Sequence, residues 1–133
     1  MDSIASQVPE RKLVVGVDTR KHLHVAVALD ELGARLGELT ISADTAGDTA
    51  LAAWAEGLGQ PRVFGIEGTG SYGVGLASFL RRCGYAIVEV NRGDRRGRRA
   101  NGKSDTLDAE AAARTVLAGG ARATAKSADG TAR

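Results

Sequence analysis

The sequence has few cysteines, few aromatic residues and no long apolar run. Cys83 is the single cysteine among 133 residues, so we expect neither a disulfide framework nor a cysteine-based zinc site. Aromatic residues make up only 4% of the chain, which favours a mixed α/β core over an aromatic-rich β-sandwich. The N-terminal stretch lacks the apolar segment of a signal peptide, and no run approaches the roughly 18 apolar residues of a membrane span. These absences predict a cytoplasmic protein with no membrane partner.

The chain as a whole also lacks a large excess of positive or negative charge. There are 18 Lys and Arg residues against 16 Asp and Glu, which leaves a net charge of +2. Residues 92–103 are an exception, because they hold six basic residues and one acid. This pattern indicates a nucleic-acid contact surface, with a solvated loop as the alternative. The basic residues are Arg92, Arg95, Arg96, Arg98, Arg99 and Lys103.

The length and the hydrophobic content of 43% fit one domain with a single core. Residues 1–11 are polar and include a proline, so they predict a flexible leader. Residues 12–118 carry the periodic patterns of a folded domain. Residues 119–133 are small and polar without periodicity, which predicts a flexible tail or the start of a linker to a further domain.

Hydrophobic periodicity predicts the element order βββαβαβα. The predicted strands are residues 12–17, a half-covered strand at 22–30, and 34–42, 62–67 and 85–90. The predicted helices are residues 44–58, 71–83 with Cys83 on the apolar face, and 105–119 with Leu107, Ala111 and Val116 on it. A meander followed by parallel crossovers is the topology of the ribonuclease H-like fold. We therefore expect a mixed five-stranded α/β sheet with helices on both faces.

Four carboxylates are placed where this topology brings them together. Asp18 ends the first predicted strand and Glu67 ends the fourth, so both emerge at one sheet edge if the strands are neighbours. Asp105 and Asp108 are three residues apart on one face of the last helix. Crowded carboxylates repel unless cations bind, and oxygen ligands suit Mg²⁺ or Mn²⁺ in phosphodiester chemistry. Each acid alone also has a structural explanation, as a strand end, a solvated acid or an N-cap.

Other polar residues near these acids have two interpretations each. Lys103 is placed to contact a phosphate as a point charge. The glycine-rich segment EGTGSYG is either a tight strand-to-helix turn, which we favour, or a phosphate cradle. Tyr72 within it either stacks on a base or sugar or, as we favour, packs at the helix start. His22 and His24 are metal-ligand candidates, although a solvated or sheet-covered position is favoured without a third ligand.

Three blocks of the chain resemble the N-terminal domain of DEDD-type insertion-sequence transposases, a domain similar in fold to the RuvC Holliday-junction resolvase. The blocks are GVDTRKHLHVAVAL, GIEGTGSYG and VNRGDRRGRRANGKSDTLDAEAAA, and the resemblance covers roughly residues 13–118. The resemblance implies that Asp18, Glu67, Asp105 and Asp108 form a metal-binding catalytic tetrad. It also implies Mg²⁺-dependent cleavage and exchange of DNA strands in transposition, guidance by a structured RNA, and assembly as dimers or tetramers.

The family resemblance also implies a second, C-terminal domain that supplies a serine nucleophile, and the sequence contains no region resembling it. We therefore expect this chain to bind metal and nucleic acid without completing recombination alone. Three alternatives remain open. They are a stand-alone RuvC-like nuclease or resolvase, a non-catalytic nucleic-acid-binding module, and an actin-like or sugar-kinase-like ATPase. The last is disfavoured because the segment after the first acid, DTRKHLH, lacks the glycines of a phosphate-binding turn.

Overall fold

A computed structural model describes residues 11–90 and 105–120 of the chain. Within these residues it has five strands and three α-helices. The strands are β1 (Lys12–Thr19), β2 (Leu23–Asp30), β3 (Arg35–Ser42), β4 (Gln60–Glu67) and β5 (Ala86–Val90). The helices are α1 (Thr45–Leu58), α2 (Val74–Arg82) and α3 (Asp105–Thr115), and α3 continues into a π-helical turn over Val116–Gly120.

The five strands form one mixed sheet in the order β3-β2-β1-β4-β5. The meander is antiparallel, β1 with β2 and β2 with β3, whereas β4 runs parallel to both β1 and β5. The first three strands are neighbours in the sheet because short turns connect them, and each parallel crossover contains a helix. This arrangement confirms the predicted α/β, ribonuclease H-like architecture.

Helices cover both faces of the sheet. One core cluster joins β1 residues such as Val15 to α1 and α2 through Leu51 and Leu80. The other cluster joins Val14 and Val27 to the small residues of α3. The prediction of a half-covered β2 is therefore wrong, because its residues between Leu23 and Asp30 are buried on both faces. Val25, Val27 and Leu29 pack with α3, and the opposite face, which carries Ala26 and Ala28, packs in the core cluster that contains α1 and α2.

Local signals determine the ends of α1 and α2. Asp44 is the N-cap of α1, and its side chain accepts a hydrogen bond from Gly47 N at 2.9 Å. The Gly47 N–H and then the Ser42 hydroxyl lower the pKa of Asp44. By contrast, α2 begins at Val74, three residues later than predicted, because a turn precedes it. Cys83 is exposed and not part of the apolar face of α2.

The buried face of α3 differs from the prediction. Leu107 is 55% exposed, and Ala111 is only half-buried. The helix instead packs through Ala109, Ala112, Ala113 and Val116. A Cβ atom at Gly16 of β1 would lie 2.1 Å from Ala109 O, so the helix lies directly on the strand backbone. Such close packing requires small residues at the contact. A prediction based on hydrophobicity alone instead places the larger Leu107 there.

Several predictions fall on residues outside the described ranges. They are the leader at residues 1–11, apart from Arg11, the basic segment at 92–103 and the tail beyond residue 120. Arg11 Nε donates a hydrogen bond to Leu58 O at 2.9 Å, so this residue already belongs to the folded domain. None of the helices within residues 11–90 and 105–120 is long and apolar enough to cross a membrane.

Candidate carboxylate site

The ends of β1 and β4 place Asp18 beside Glu67. The two strands are parallel neighbours, and the two acids are partners in their register. Both residues are buried. Two residues earlier, Gly16 and Gly65 lie against α3, where added Cβ atoms would lie 2.1 Å from Ala109 O and 2.6 Å from Val116 Cγ2. Because side chains alternate along a strand, Asp18 and Glu67 are on this same face of the sheet.

Arg20 connects Asp18 to the first turn of α3. Its Nε donates to Asp18 Oδ2 at 3.0 Å, and one of its terminal nitrogens lies 2.9 Å from the same oxygen. That nitrogen also lies 3.8 Å from Asp108 Oδ2. The structure therefore brings Asp18, Glu67 and Asp108 to one region at the carboxyl end of β1 and β4. We call these three residues the carboxylate site.

The fourth predicted acid is placed only by its backbone. Asp105 begins α3, three residues before Asp108, and its side chain lies outside the described part of the structure. Across residues 11–90 and 105–120, no group of three or more His, Cys, Asp or Glu side chains has the arrangement of a metal site. The predicted metal tetrad therefore stays a prediction.

The chemistry of the carboxylate site fits a divalent cation. Its side chains offer oxygen atoms alone, which Mg²⁺ and Mn²⁺ prefer as ligands. Two neighbouring buried carboxylates repel each other, and the guanidinium of Arg20 offsets this repulsion through its ion pair with Asp18. The side chain of Arg20 is 41% exposed, so its guanidinium is accessible from solvent. Asp18, Glu67, Asp105 and Asp108 are the residues that would hold the ion.

The glycine-rich segment after Glu67 forms a tight turn. Thr19 Oγ1 donates to Glu67 O at 2.6 Å, which ties the end of β1 to the end of β4. Gly68 has a φ of 83°, and a Cβ atom there would lie 2.6 Å from Thr19 Oγ1. Gly73 N then donates to Gly68 O at 2.8 Å and closes the turn. These bonds support the interpretation of the segment as a tight strand-to-helix turn. Tyr72 in this turn has 54% of its surface exposed.

The two histidines have different environments. His22 lies in the turn between β1 and β2 and is exposed, whereas His24 is buried on β2, on the face that contacts α1 and α2. His24 Nδ1 accepts a hydrogen bond from Arg20 N at 3.2 Å. Their different environments argue against a shared metal ion, and His24 has the sheet-covered position that the sequence allows.

Sequence reasoning did not single out Arg20 or Asp48. Arg20 follows Asp18 by two residues, a spacing that places side chains on one side of extended backbone, so a signal was present. Asp48 precedes Leu51 by three residues and therefore lies on the buried stripe of α1. A polar residue on an apolar stripe is a recognisable sign of a functional or strained position.

Comparison with known proteins agrees with this architecture. A sequence model for DEDD transposases of the IS110 type, described as "Transposase", matches residues 15–133. The matched range contains all four predicted carboxylates and the basic segment. A search of curated proteins gave no match. Because the family model covers most of the chain, the protein belongs to the IS110-type DEDD transposases.

Proposed function

We propose that Asp18, Glu67, Asp105 and Asp108 bind Mg²⁺, or Mn²⁺, for the cleavage and exchange of DNA strands in transposition. The observation that carries this proposal is the buried pair Asp18 and Glu67 at the ends of neighbouring strands, with Asp18 and Asp108 both facing the guanidinium of Arg20. A bound divalent cation supplies neutralisation of the charge that develops on the phosphodiester oxygens. Membership in the transposase family supports the same chemistry.

The acids and Arg20 have different roles at the proposed cation site. Asp18 and Glu67 supply oxygens from rigid strand ends, so their positions change little on binding. Asp108, with Asp105 one turn earlier, supplies oxygens from α3 and links the site to the segment that precedes this helix. Arg20 neutralises Asp18 until the cation binds, and it is then available to contact a phosphate.

The nucleic acid is proposed to bind along the basic segment that precedes α3. This segment contributes Arg92, Arg95, Arg96, Arg98, Arg99 and Lys103, and Tyr72 offers an exposed ring at the same end of the sheet. The sequence resemblance supports three further proposals. They are guidance by a structured RNA, assembly as a dimer or tetramer, and cooperation with a serine nucleophile on a separate C-terminal domain.

Calorimetric titration with Mg²⁺ and Mn²⁺ tests the proposed site. The wild-type chain is compared with the Asp105→Ala, Asp108→Ala double variant and with Asp18→Asn, each with and without a DNA oligonucleotide. We expect cation binding in the wild type and its loss in both variants. Glu31→Gln is the matched control, because Glu31 is an exposed acid that faces Arg62 at 3.8 Å, outside the carboxylate site. Equal binding by wild type and variants would make the acids structural.

A further inference from the structure

A cleft lies on the other face of the sheet from the carboxylate site. It has a volume of about 340 Å³ and is lined by residues of β2, α1, α2 and the turn that follows Glu67. His24 in its wall is the strand partner of Thr19, the residue after Asp18. Tyr72 at its rim is on the turn that begins at Glu67. The cleft and the carboxylate site therefore share one end of the sheet.

His24 presents a hydrogen-bond donor in this cleft. The residue is only 2% exposed, and burial lowers its pKa more than the Leu23 carbonyl and Asp18 raise it, so the ring is neutral near pH 7. Because Nδ1 accepts from Arg20 N, the proton of the neutral ring is on Nε2. His24 lines the cleft, so its ring is within reach of a ligand that carries a hydrogen-bond acceptor.

Asp48 presents a carboxyl group in the same cleft. It is 6% exposed, and its side chain makes no hydrogen bond or ion pair within the part of the chain that the structure describes. Burial raises the pKa of Asp48, and the charge of Asp44 raises it further. Asp44 differs because its carboxylate already accepts from Gly47 N and from Ser42 Oγ. Capping of α1 therefore explains Asp44, whereas Asp48 is an acid in the first turn of α1 whose carboxyl group also lines the cleft.

The remaining walls fit a flat ligand that carries a phosphate. Tyr72 offers an exposed aromatic ring, and Arg82 offers a cation whose terminal nitrogen donates to Ser78 Oγ at 3.0 Å. Gly75 contributes no side chain, and a Cβ atom there would meet nothing within 4 Å. The cleft thus combines a donor, an acceptor, an aromatic surface and a cation, which is the set that recognises a nucleotide.

We propose that this cleft binds a nucleobase of the nucleic-acid strand, with an N–H of the base donating to Asp48 and a ring nitrogen or carbonyl accepting from His24 Nε2. Tyr72 covers the face of the base, and Arg82 contacts its phosphate. This inference rests on the proposed function, because the strand on which the carboxylate site acts is the source of the base. Seating one base in the cleft would hold the neighbouring phosphates at the carboxyl end of β1 and β4.

Nuclear magnetic resonance of the full chain in EDTA tests the proposal. Each of the common deoxynucleoside 5′-monophosphates is titrated, with 2-deoxyribose 5-phosphate as the probe that lacks a base. We expect the nucleotides to shift the amide signals of Asp48 and Gly75 and the ring signals of His24, and the sugar phosphate to shift none of them. Equal shifts with the sugar phosphate would show that Arg82 binds phosphate alone, and would overturn the proposal.

Two variants test the cleft by different means. Asp48→Asn replaces an acceptor oxygen by a donor, and Gly75→Leu fills the cleft without removing a polar group. We expect each to weaken nucleotide binding by about tenfold or more. Their matched controls are Glu89→Gln, an exposed acid outside the cleft, and Gly57→Leu, a helical glycine that also faces open space. Unchanged binding in Gly75→Leu would overturn the proposal even if Asp48→Asn failed to fold.

A short single-stranded DNA, intact or with one central abasic residue, distinguishes a strand base from a free nucleotide. We expect only the intact strand to shift the signals of the cleft, and equal shifts would overturn the assignment to a strand base. Because EDTA removes divalent cations, failure here is distinguishable from failure of the carboxylate site. Nucleotide binding without any cation binding by the wild type would refute the proposed function and leave the cleft established as a nucleotide site.

Discussion

Arg20 provides the positive charge that contacts the acids of the carboxylate site. One of its terminal nitrogens lies 2.9 Å from Asp18 Oδ2 and 3.8 Å from Asp108 Oδ2. A fixed positive charge in this position stabilises the acids without a metal ion, and it also opposes the approach of a second cation. The ion pair and the proposed cation therefore compete for the same carboxylates.

Removing the charge of Arg20 should reverse that balance. We expect Arg20→Gln to bind Mg²⁺ several-fold more tightly than the wild type, and to be less stable than the wild type in EDTA because the acids lose their counter-charge. Calorimetry measures the affinity, and thermal unfolding with and without Mg²⁺ measures the stability.

Arg62→Gln provides the control for Arg20→Gln, since it removes an exposed arginine that only faces Glu31 at 3.8 Å. We expect it to change neither quantity appreciably. Weaker Mg²⁺ binding in Arg20→Gln than in the wild type would show that Arg20 positions the acids instead of competing for them.

At the scale of the elements, the contact between α3 and the sheet decides whether the acids meet. Gly16 and Gly65 have no side chains, so α3 approaches the backbone of β1 and β4 closely. The small residues Ala109, Ala112 and Ala113 complete this contact from the helix. Asp108 reaches Arg20 because α3 lies this close to β1.

A single methyl group in this contact should separate the acids. Gly16→Ala would place a Cβ atom 2.1 Å from Ala109 O and 2.3 Å from Ala113 N, so α3 must move or the domain must unfold. We expect a loss of about 3 kcal/mol in the free energy of unfolding, measured with urea. In molecules that stay folded, we expect weaker Mg²⁺ binding.

The same substitution at Gly57 controls for glycine replacement in general. Gly57 lies in α1 with nothing within 4 Å of an added Cβ atom. Gly57→Ala should raise the free energy of unfolding by about 0.5–1 kcal/mol, because alanine is the better helix former. If Gly16→Ala were as stable as Gly57→Ala, the close packing of α3 on β1 would be refuted.

At the scale of the whole molecule, the acidic carboxylate site and the cluster of basic residues lie in different parts of the chain. The carboxylate site is acidic, whereas the segment that leads into α3 carries six basic residues and one acid. We therefore expect the basic segment to hold a polyanion that approaches the acids, since Asp18 and Glu67 repel it in the absence of a cation.

Salt dependence tests this division of labour. We expect the combined change of Arg95, Arg96, Arg98 and Arg99 to alanine to lower the slope of log K against log salt concentration by about 3 for single-stranded DNA. The loss should be independent of sequence, because phosphate contacts carry no base information. Fluorescence anisotropy over a series of salt concentrations measures it. Arg62→Ala is the control, and an unchanged slope in the quadruple variant would place the nucleic acid elsewhere.

The sequence by itself determined the order of the elements and the positions of the acids along them. Apolar runs and alternation mark the five strands, and Asp44 and Gly59 mark the ends of α1, because these signals depend on neighbours in the chain. The placement of Asp18 and Glu67 at strand ends is likewise a property of the sequence. Their family is recognisable from the same residues.

Only the tertiary structure decided which faces are buried and which side chains meet. The second face of β2 is covered on the side of the sheet where α1 and α2 pack, and the exposure of Leu107 depends on how α3 packs against Gly16 and Gly65. No local pattern contains these contacts. The contact between Arg20 and Asp108 joins residues far apart in the chain. The cleft that contains His24 and Asp48 exists only where β2, α1 and α2 come together, because burial and partnership are properties of the packed molecule.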